Sequence, residues 1–166
     1  MRIEPLGGQH DRSTFSCGQP ELDDWFRRRA GQDQKRDVAR VFVGVDDRLA
    51  VVGFYSLSAF TLALEDLPDQ FARKLPRYDA IPAVRIGRLA RATSVSGPGM
   101  GALLLADAIR RILSIVRSVG VFAIVVDAKD QRAVLFYRRF GFRPFPSRPH
   151  RLFLLTSTAL AALEAG

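Results

Sequence analysis

The chain reads as a mixed α/β fold, and three observations say so. Strand-type runs at Val41–Val45, Val51–Phe60, Val84–Thr93, Val121–Val126 and Arg151–Thr156 alternate with helix-type stretches. A length of 166 residues suits one domain with a core that needs no disulfide or metal staple. Hydrophobic residues at 48% and charged residues at 25% match an ordinary soluble globular chain. We therefore expect a single domain over residues 1–166.

Each element has a local reason. Arg2–Leu6 is a short opening strand. Pro20 suits the first turn of a helix, and Glu21, Asp23 and Asp24 favour the positive end of its dipole. Leu22, Trp25, Phe26 and Arg29 then recur at helical spacing, which predicts a helix to about Gln32. Residues 39–60 read as a hairpin turning at Asp46-Asp47-Arg48. Pro68–Leu75 is a short helix, with Pro76 and Pro82 bracketing the loop before the Val84–Thr93 strand. Ala102–Val116 carries an apolar stripe of Leu105, Ile109, Ile112 and Val116. Val121–Val126 is continuously apolar, as a strand buried on both faces must be. Asp130 caps a helix through about Phe140, Gly141 stops it, and Arg151–Thr156 closes the fold as a strand.

Several classes are excluded or disfavoured. The longest near-continuous apolar stretch is far short of the roughly 18 residues a membrane span needs, and the N-terminal residues have no signal-type apolar run. The expectation is a cytoplasmic protein without membrane contact. One cysteine, Cys17, excludes an intramolecular disulfide, and we expect it to pack rather than react. With only His10, His150 and Cys17 as soft ligands, no metal is expected, and both histidines are assigned to the surface.

The net charge of +8 is unevenly placed. Residues 1–84 carry 12 basic and 13 acidic side chains, whereas residues 110–151 carry ten basic side chains against Asp127 and Asp130. Such a field suits a polyanionic partner, and the 22 arginines among 25 basic residues suit bidentate phosphate contact. Arg85, Arg88 and Arg91 lie on the third long strand, and Arg138, Arg139 and Arg143 flank Tyr137. Arg27, Arg28, Arg29, Lys35 and Arg36 form a second cluster. Strand alternation would set Arg85 and Arg91 on one face and Arg88 on the other.

Ser96-Gly97-Pro98-Gly99-Met100-Gly101, between that strand and the following helix, carries the chemical signal. Glycines let backbone amides approach a phosphate at a positive helix end. No Gly-Lys-Ser/Thr follows, so it is not a P-loop, and the glycine spacing is not that of a dinucleotide fold. The residues alone leave a phosphate cradle and a plain tight turn both open. Tyr137 is equally open: a phenol that can donate a proton, or one member of a Phe136–Tyr137–Phe140 core stripe. Residues 80–106 contain no carboxylate to serve as general base, although Asp66, Asp69 or Asp79 lies elsewhere in the chain. That lack leans toward an acceptor amine already partly neutral at physiological pH, such as an α-amine of pKa about 7.7–8.0.

Together these motifs resemble the GCN5-related N-acetyltransferase superfamily. Its pyrophosphate loop, Arg/Gln-x-x-Gly-x-Gly/Ala, falls on Ser96–Gly101, with both glycines in place, Ser96 departing from the first position, and Pro98 lacking a backbone donor. Phe15-Ser16-Cys17-Gly18, Leu22–Phe26, Val52–Leu57, Ile86–Ala90 and Phe136–Phe142 are similar to the acetyltransferase toxins of toxin–antitoxin modules. The resemblance covers roughly residues 15–155 and implies a mixed central sheet of about six to seven strands flanked by helices. It implies acetyl-CoA as donor and the α-amino group of aminoacyl-tRNA as acceptor, so that translation stops. It implies Tyr137 as general acid on the leaving thiolate, and Leu89, Ala90, Arg91, Ser96, Gly97, Pro98, Gly99, Met100, Gly101, Ala102 and Phe136 as cofactor contacts. Arg85, Arg88, Arg138 and Arg139 would hold the RNA. A ribbon-helix-helix antitoxin and a homodimer are implied partners. Two other readings compete: an acetyltransferase for a small amine or protein N-terminus, and a catalytically silent nucleic-acid-binding module.

Overall fold

A computed structural model describes residues 1–78, 80–95 and 97–166, so Asp79 and Ser96 lie outside the described residues. The strands are β1 (Arg2–Pro5), β2 (Arg40–Val45), β3 (Val51–Leu62), β4 (Ile81–Arg91), β5 (Ala123–Asp127), β6 (Arg143–Phe145) and β7 (Arg148–Leu155). The helices are α1 (Pro20–Arg28), α2 (Ala30–Lys35), α3 (Asp69–Ala72), α4 (Met100–Leu113), α5 (Gln131–Arg139) and α6 (Thr156–Ala165), with a 3-10 turn at Leu64–Asp66. Among the described residues the strands form one seven-stranded sheet in the order β1-β2-β3-β4-β5-β7-β6. The chain divides into two compact units, Met1–Ser58 with Ile86–Arg110, and Ala59–Arg85 with Arg111–Gly166.

In the first unit, β1–β2 and β2–β3 pair antiparallel, Val43 facing Phe54. Phe26 and Phe54 stack at 4.1 Å with rings nearly parallel, and Phe15 meets both edge-on at 4.8 and 5.5 Å. The long first helix expected to Gln32 is instead two. Phe26 O, which a continuous helix would spend on its next turn, accepts from Arg12 Nη1 at 2.7 Å. At Arg29 φ widens to −115° and α1 ends; α2 follows, and its Asp33 accepts from Trp25 Nε1 at 2.8 Å. Helix α4 buries Leu104, Leu105, Ala108 and Ile112, and ends at Leu113. The apolar stripe is thus displaced from the expected one, and Val116 falls beyond the helix. Gly53 sets the closeness of β3 to α4: a Cβ there would lie 2.8 Å from Leu104 Cδ1 and 3.1 Å from Ala90 O. Tyr55 OH donates to Asp107 Oδ2 at 2.6 Å, tying the same two elements.

In the second unit β5 is buried throughout Ala123–Val126 and pairs antiparallel with β7. Asp130 caps α5, its Oδ1 accepting from Ala133 N at 2.9 Å, and Gly141 follows the helix at φ +92°, a conformation that favours glycine. Strand β4 starts at Ile81 rather than Val84, since Pro82 needs only its carbonyl, which accepts from Phe122 N–H at 2.9 Å. The 68–75 helix shrinks to α3. Strand β6 and helix α6 were not expected: β6 is three residues around Pro144, too short for a period, and α6 lacks the polar alternation that marks an amphipathic helix.

His10 corrects the sequence reading. It is 9% exposed rather than a surface residue, because its Nδ1 accepts from Gly7 N–H at 2.9 Å while Nε2 meets Glu4 Oε1 at 2.8 Å. His150 is exposed, and Cys17 packs partly buried against the first unit's core.

Candidate active site

One candidate group belongs to the first unit. Gly97 and Gly99 adopt φ +86° and +107°, the left-handed region where a side chain is strained. A Cβ on either would meet nothing within 4 Å, so backbone conformation, not crowding, requires glycine here. The turn is exposed. Leu103 N–H bonds back to Gly99 O at 2.9 Å, which leaves the N–H groups of Met100, Gly101 and Ala102 at the positive end of a 14-residue helix with no intrahelical acceptor. Arg91 Nη1 donates to Gly97 O at 2.9 Å and bridges to Val95 O at 3.5 Å, so its side chain braces the turn. Open space, amide donors and a nearby guanidinium fit a pyrophosphate; Ser96 lies outside the described residues.

Strand β4 carries Leu89 and Ala90 toward this turn. A Cβ on Gly87 would sit 3.2 Å from Ser56 Oγ, and the next residue, Arg88, stacks 4.0 Å over Trp25, itself packed against Phe54.

A separate candidate group lies in the second unit. Tyr137, on α5, is 8% exposed. Its ring meets Phe136 and Phe142 edge-on at 5.3 and 5.7 Å. Burial first, and the negative charge of Asp127 second, push its pKa up to about 12. The phenol is therefore neutral across the physiological range and can act as an acid but not as a base. Asp127 ends β5 and is gripped by Arg85 at 2.9 Å and Arg151 at 2.8 Å. Both guanidiniums also lie over the Phe60 ring.

The structure groups Leu89, Ala90, Arg91, Gly97, Pro98, Gly99, Met100, Gly101 and Ala102 in one unit, and Phe136, Tyr137, Arg138 and Arg139 on one helix of the other. Arg138 and Arg139 are exposed. Arg85 and Arg88 are engaged by Asp127 and Trp25 respectively. In the second cluster, Arg27 donates to Phe15 O and Arg28 pairs with Asp24 at 3.2 Å. Sequence reasoning missed Asp127 as the charge beside Tyr137. Its signal was an acid closing an otherwise apolar strand.

No protein-family model matches the chain. A probable toxin TacT of Sinorhizobium fredii (strain NBRC 101917 / NGR234) is 36% identical over 165 residues, covering 94% of this chain and 91% of the relative. A tRNA-acetylating toxin of Mycobacterium tuberculosis (strain ATCC 25618 / H37Rv) is 38% identical over 153 residues, covering 92% and 90%. The chain belongs to the toxin acetyltransferases of the GCN5-related N-acetyltransferase superfamily. Solved toxin acetyltransferases share its fold. AtaT in complex with acetyl-methionyl-tRNAfMet superposes with TM-score 0.89 at 27% identity, covering 98% of each chain. AtaTR bound with AcCoA superposes at 0.84, again at 27% identity, covering 98% and 97%. Among the described residues of this toxin acetyltransferase no helix is long and apolar enough to cross a membrane, and no three potential ligands cluster for a metal ion.

Proposed function

We propose that this chain transfers acetyl from acetyl-CoA to the α-amino group of aminoacyl-tRNA and so blocks translation. The observation that carries the reading is the 38% identity, over 92% of the chain, to a tRNA-acetylating toxin. Acetyl-CoA supplies an activated acetyl thioester. The amides of Met100, Gly101 and Ala102, with Gly97 and Gly99 keeping the approach open, hold its pyrophosphate; Pro98 shapes the turn without donating. The backbone of Leu89, Ala90 and Arg91 positions the pantetheine arm, and Phe136 adds an apolar contact.

Tyr137 Oη gives its proton to the sulfur that leaves. A free thiol has a pKa of about 8.5, well below that of the buried phenol, which would make the transfer unfavourable if only the phenol were perturbed. The burial and the Asp127 charge that penalise a phenolate also penalise a thiolate formed beside it, so the gap narrows at the moment of transfer. An α-amine acceptor needs little help from a base near neutral pH. Arg85, Arg88, Arg138 and Arg139 serve the RNA. The exposed pair on α5 contacts phosphates, and Arg88 presents a guanidinium already seated 4.0 Å over Trp25.

The same reading has residues 1–166 working as one catalytic domain in the cytoplasm, as a homodimer held in check by a ribbon-helix-helix antitoxin. The test is label transfer from acetyl-CoA to charged against deacylated tRNA. Label on the charged pool alone is expected. Label on small amines or a protein N-terminus but not on charged tRNA would replace the acceptor, and acetyl-CoA or RNA binding without transfer would indicate a silent module.

A further inference from the structure

A cavity of about 450 Å³ opens in the second unit beside the Tyr137 helix, lined among others by Phe71, Arg138, Phe142, Arg143, Phe153 and Thr158. Its chemistry differs from that of two other described hollows. None of its described lining residues is acidic, whereas the hollow at Ala63–Tyr78 is lined by Glu65 and Asp69, and that at Asp127–Arg151 by Asp127. Phe71 and Phe153 meet edge-to-face at 5.7 Å, and the Arg143 guanidinium lies 5.5 Å over the Phe71 ring. Arg143 and Arg138 are both exposed at the rim. The cavity shares a wall with the site already described, because Phe142 packs edge-on against Tyr137 at 5.7 Å.

We propose that this cavity receives one unpaired nucleotide of the acceptor end of the RNA substrate, a proposal that rests on the acetyl-transfer reading above. The volume lies at the lower end of the range of small-molecule pockets, which suits a single nucleotide. The planar Arg143 guanidinium, 5.5 Å over the Phe71 ring, offers a base a face to stack on, and Arg138 offers a phosphate a two-pronged donor. Unpaired nucleotides are the part of an RNA whose bases can leave the stack and enter such a hollow. An acidic peptide would also meet the arginines, but it would leave the aromatic floor without a flat partner.

The test is a thermodynamic cycle on binding. Deacylated tRNA is compared with the same tRNA lacking its unpaired 3′ nucleotides, on the native chain and on Arg143→Gln. The native chain is expected to lose about tenfold in affinity when the unpaired end is removed, the loss of roughly one base–side-chain stack. Arg143→Gln is expected to bind both RNAs equally and weakly, and Arg143→Lys, which keeps the charge without the plane, to behave like Arg143→Gln. Equal loss from end removal on all three proteins would overturn the proposal. Retained RNA discrimination with lost affinity for the cognate antitoxin would overturn it too, and assign the cavity to a protein ligand. If instead the end-dependent difference is present in the native chain and absent in Arg143→Gln, but no label is transferred, the cavity assignment stands and the acceptor assignment falls. Folding of each variant is checked by its thermal midpoint, and a change at the exposed Arg143 is expected to leave that midpoint in place.

Discussion

The glycine turn of residues 97–101 and the Tyr137 helix answer opposite physical demands. The turn is exposed, built from backbone, and shaped by two left-handed glycines whose side-chain positions point into open space. The tyrosine is a side-chain device, buried among aromatic rings beside a carboxylate gripped by two arginines. Holding an anion needs amide dipoles that have no other acceptor, which favours a helix start at the surface. Keeping a proton until it is needed favours the opposite, a poorly solvated phenol. Damage to the first should therefore appear in donor binding, and damage to the second in turnover.

The largest separation is expected from Tyr137→Phe. Turnover should fall by roughly 10²–10⁴-fold while acetyl-CoA affinity, measured by calorimetry, stays the same. The same residue predicts two pH effects. Activity of the native chain should rise as the acceptor α-amine deprotonates near pH 8 and show no loss from Tyr137 ionisation until the pH approaches 12. Because the folded pKa is raised above the ordinary value of 10, the native state holds its proton longer than the unfolded one. The resulting stability, about 2–3 kcal/mol by the two-unit shift, is fully present below pH 10 and is lost as pH rises through 12. Denaturant titrations of native and Tyr137→Phe proteins should therefore converge across that window.

Gly53→Ala tests what stands behind the turn. The added methyl meets Leu104 and the Ala90 carbonyl, so unfolding free energy should drop by about 1–3 kcal/mol in urea. Gly99→Ala meets no neighbour, and only backbone strain of about 1–2 kcal/mol opposes it. Its expected signature is an acetyl-CoA KM raised about tenfold with kcat little changed. The smallest effect belongs to Asp130→Ala, which removes the cap of α5 and should lower stability by about 1 kcal/mol, read from the thermal midpoint.

What was legible in the sequence follows the same division. Periodic or uniformly apolar runs announced β2, β3, β5 and α4, and Asp130 with Gly141 announced both ends of α5. The glycine turn and Tyr137 stood out, but the residues alone left a plain turn and a core stripe open, and their assigned roles came from the family resemblance. Illegible were the features that depend on distant partners. The break after Arg28 follows from Arg12 reaching Phe26 O, the burial of His10 from Glu4, and the seat of Arg88 from Trp25. No local pattern encodes such contacts. The Tyr137 pKa belongs with them, since Asp127 reaches the phenol from another element.

The most direct measurement digests reacted charged tRNA and weighs the aminoacyl-adenosine released from its 3′ end. The account predicts a single added acetyl group on the α-nitrogen, formed by the native chain and lost in Tyr137→Phe. An acetyl group on an amino-acid side chain or on the nucleotide, or an unmodified aminoacyl-adenosine beside acetylated protein, would contradict it.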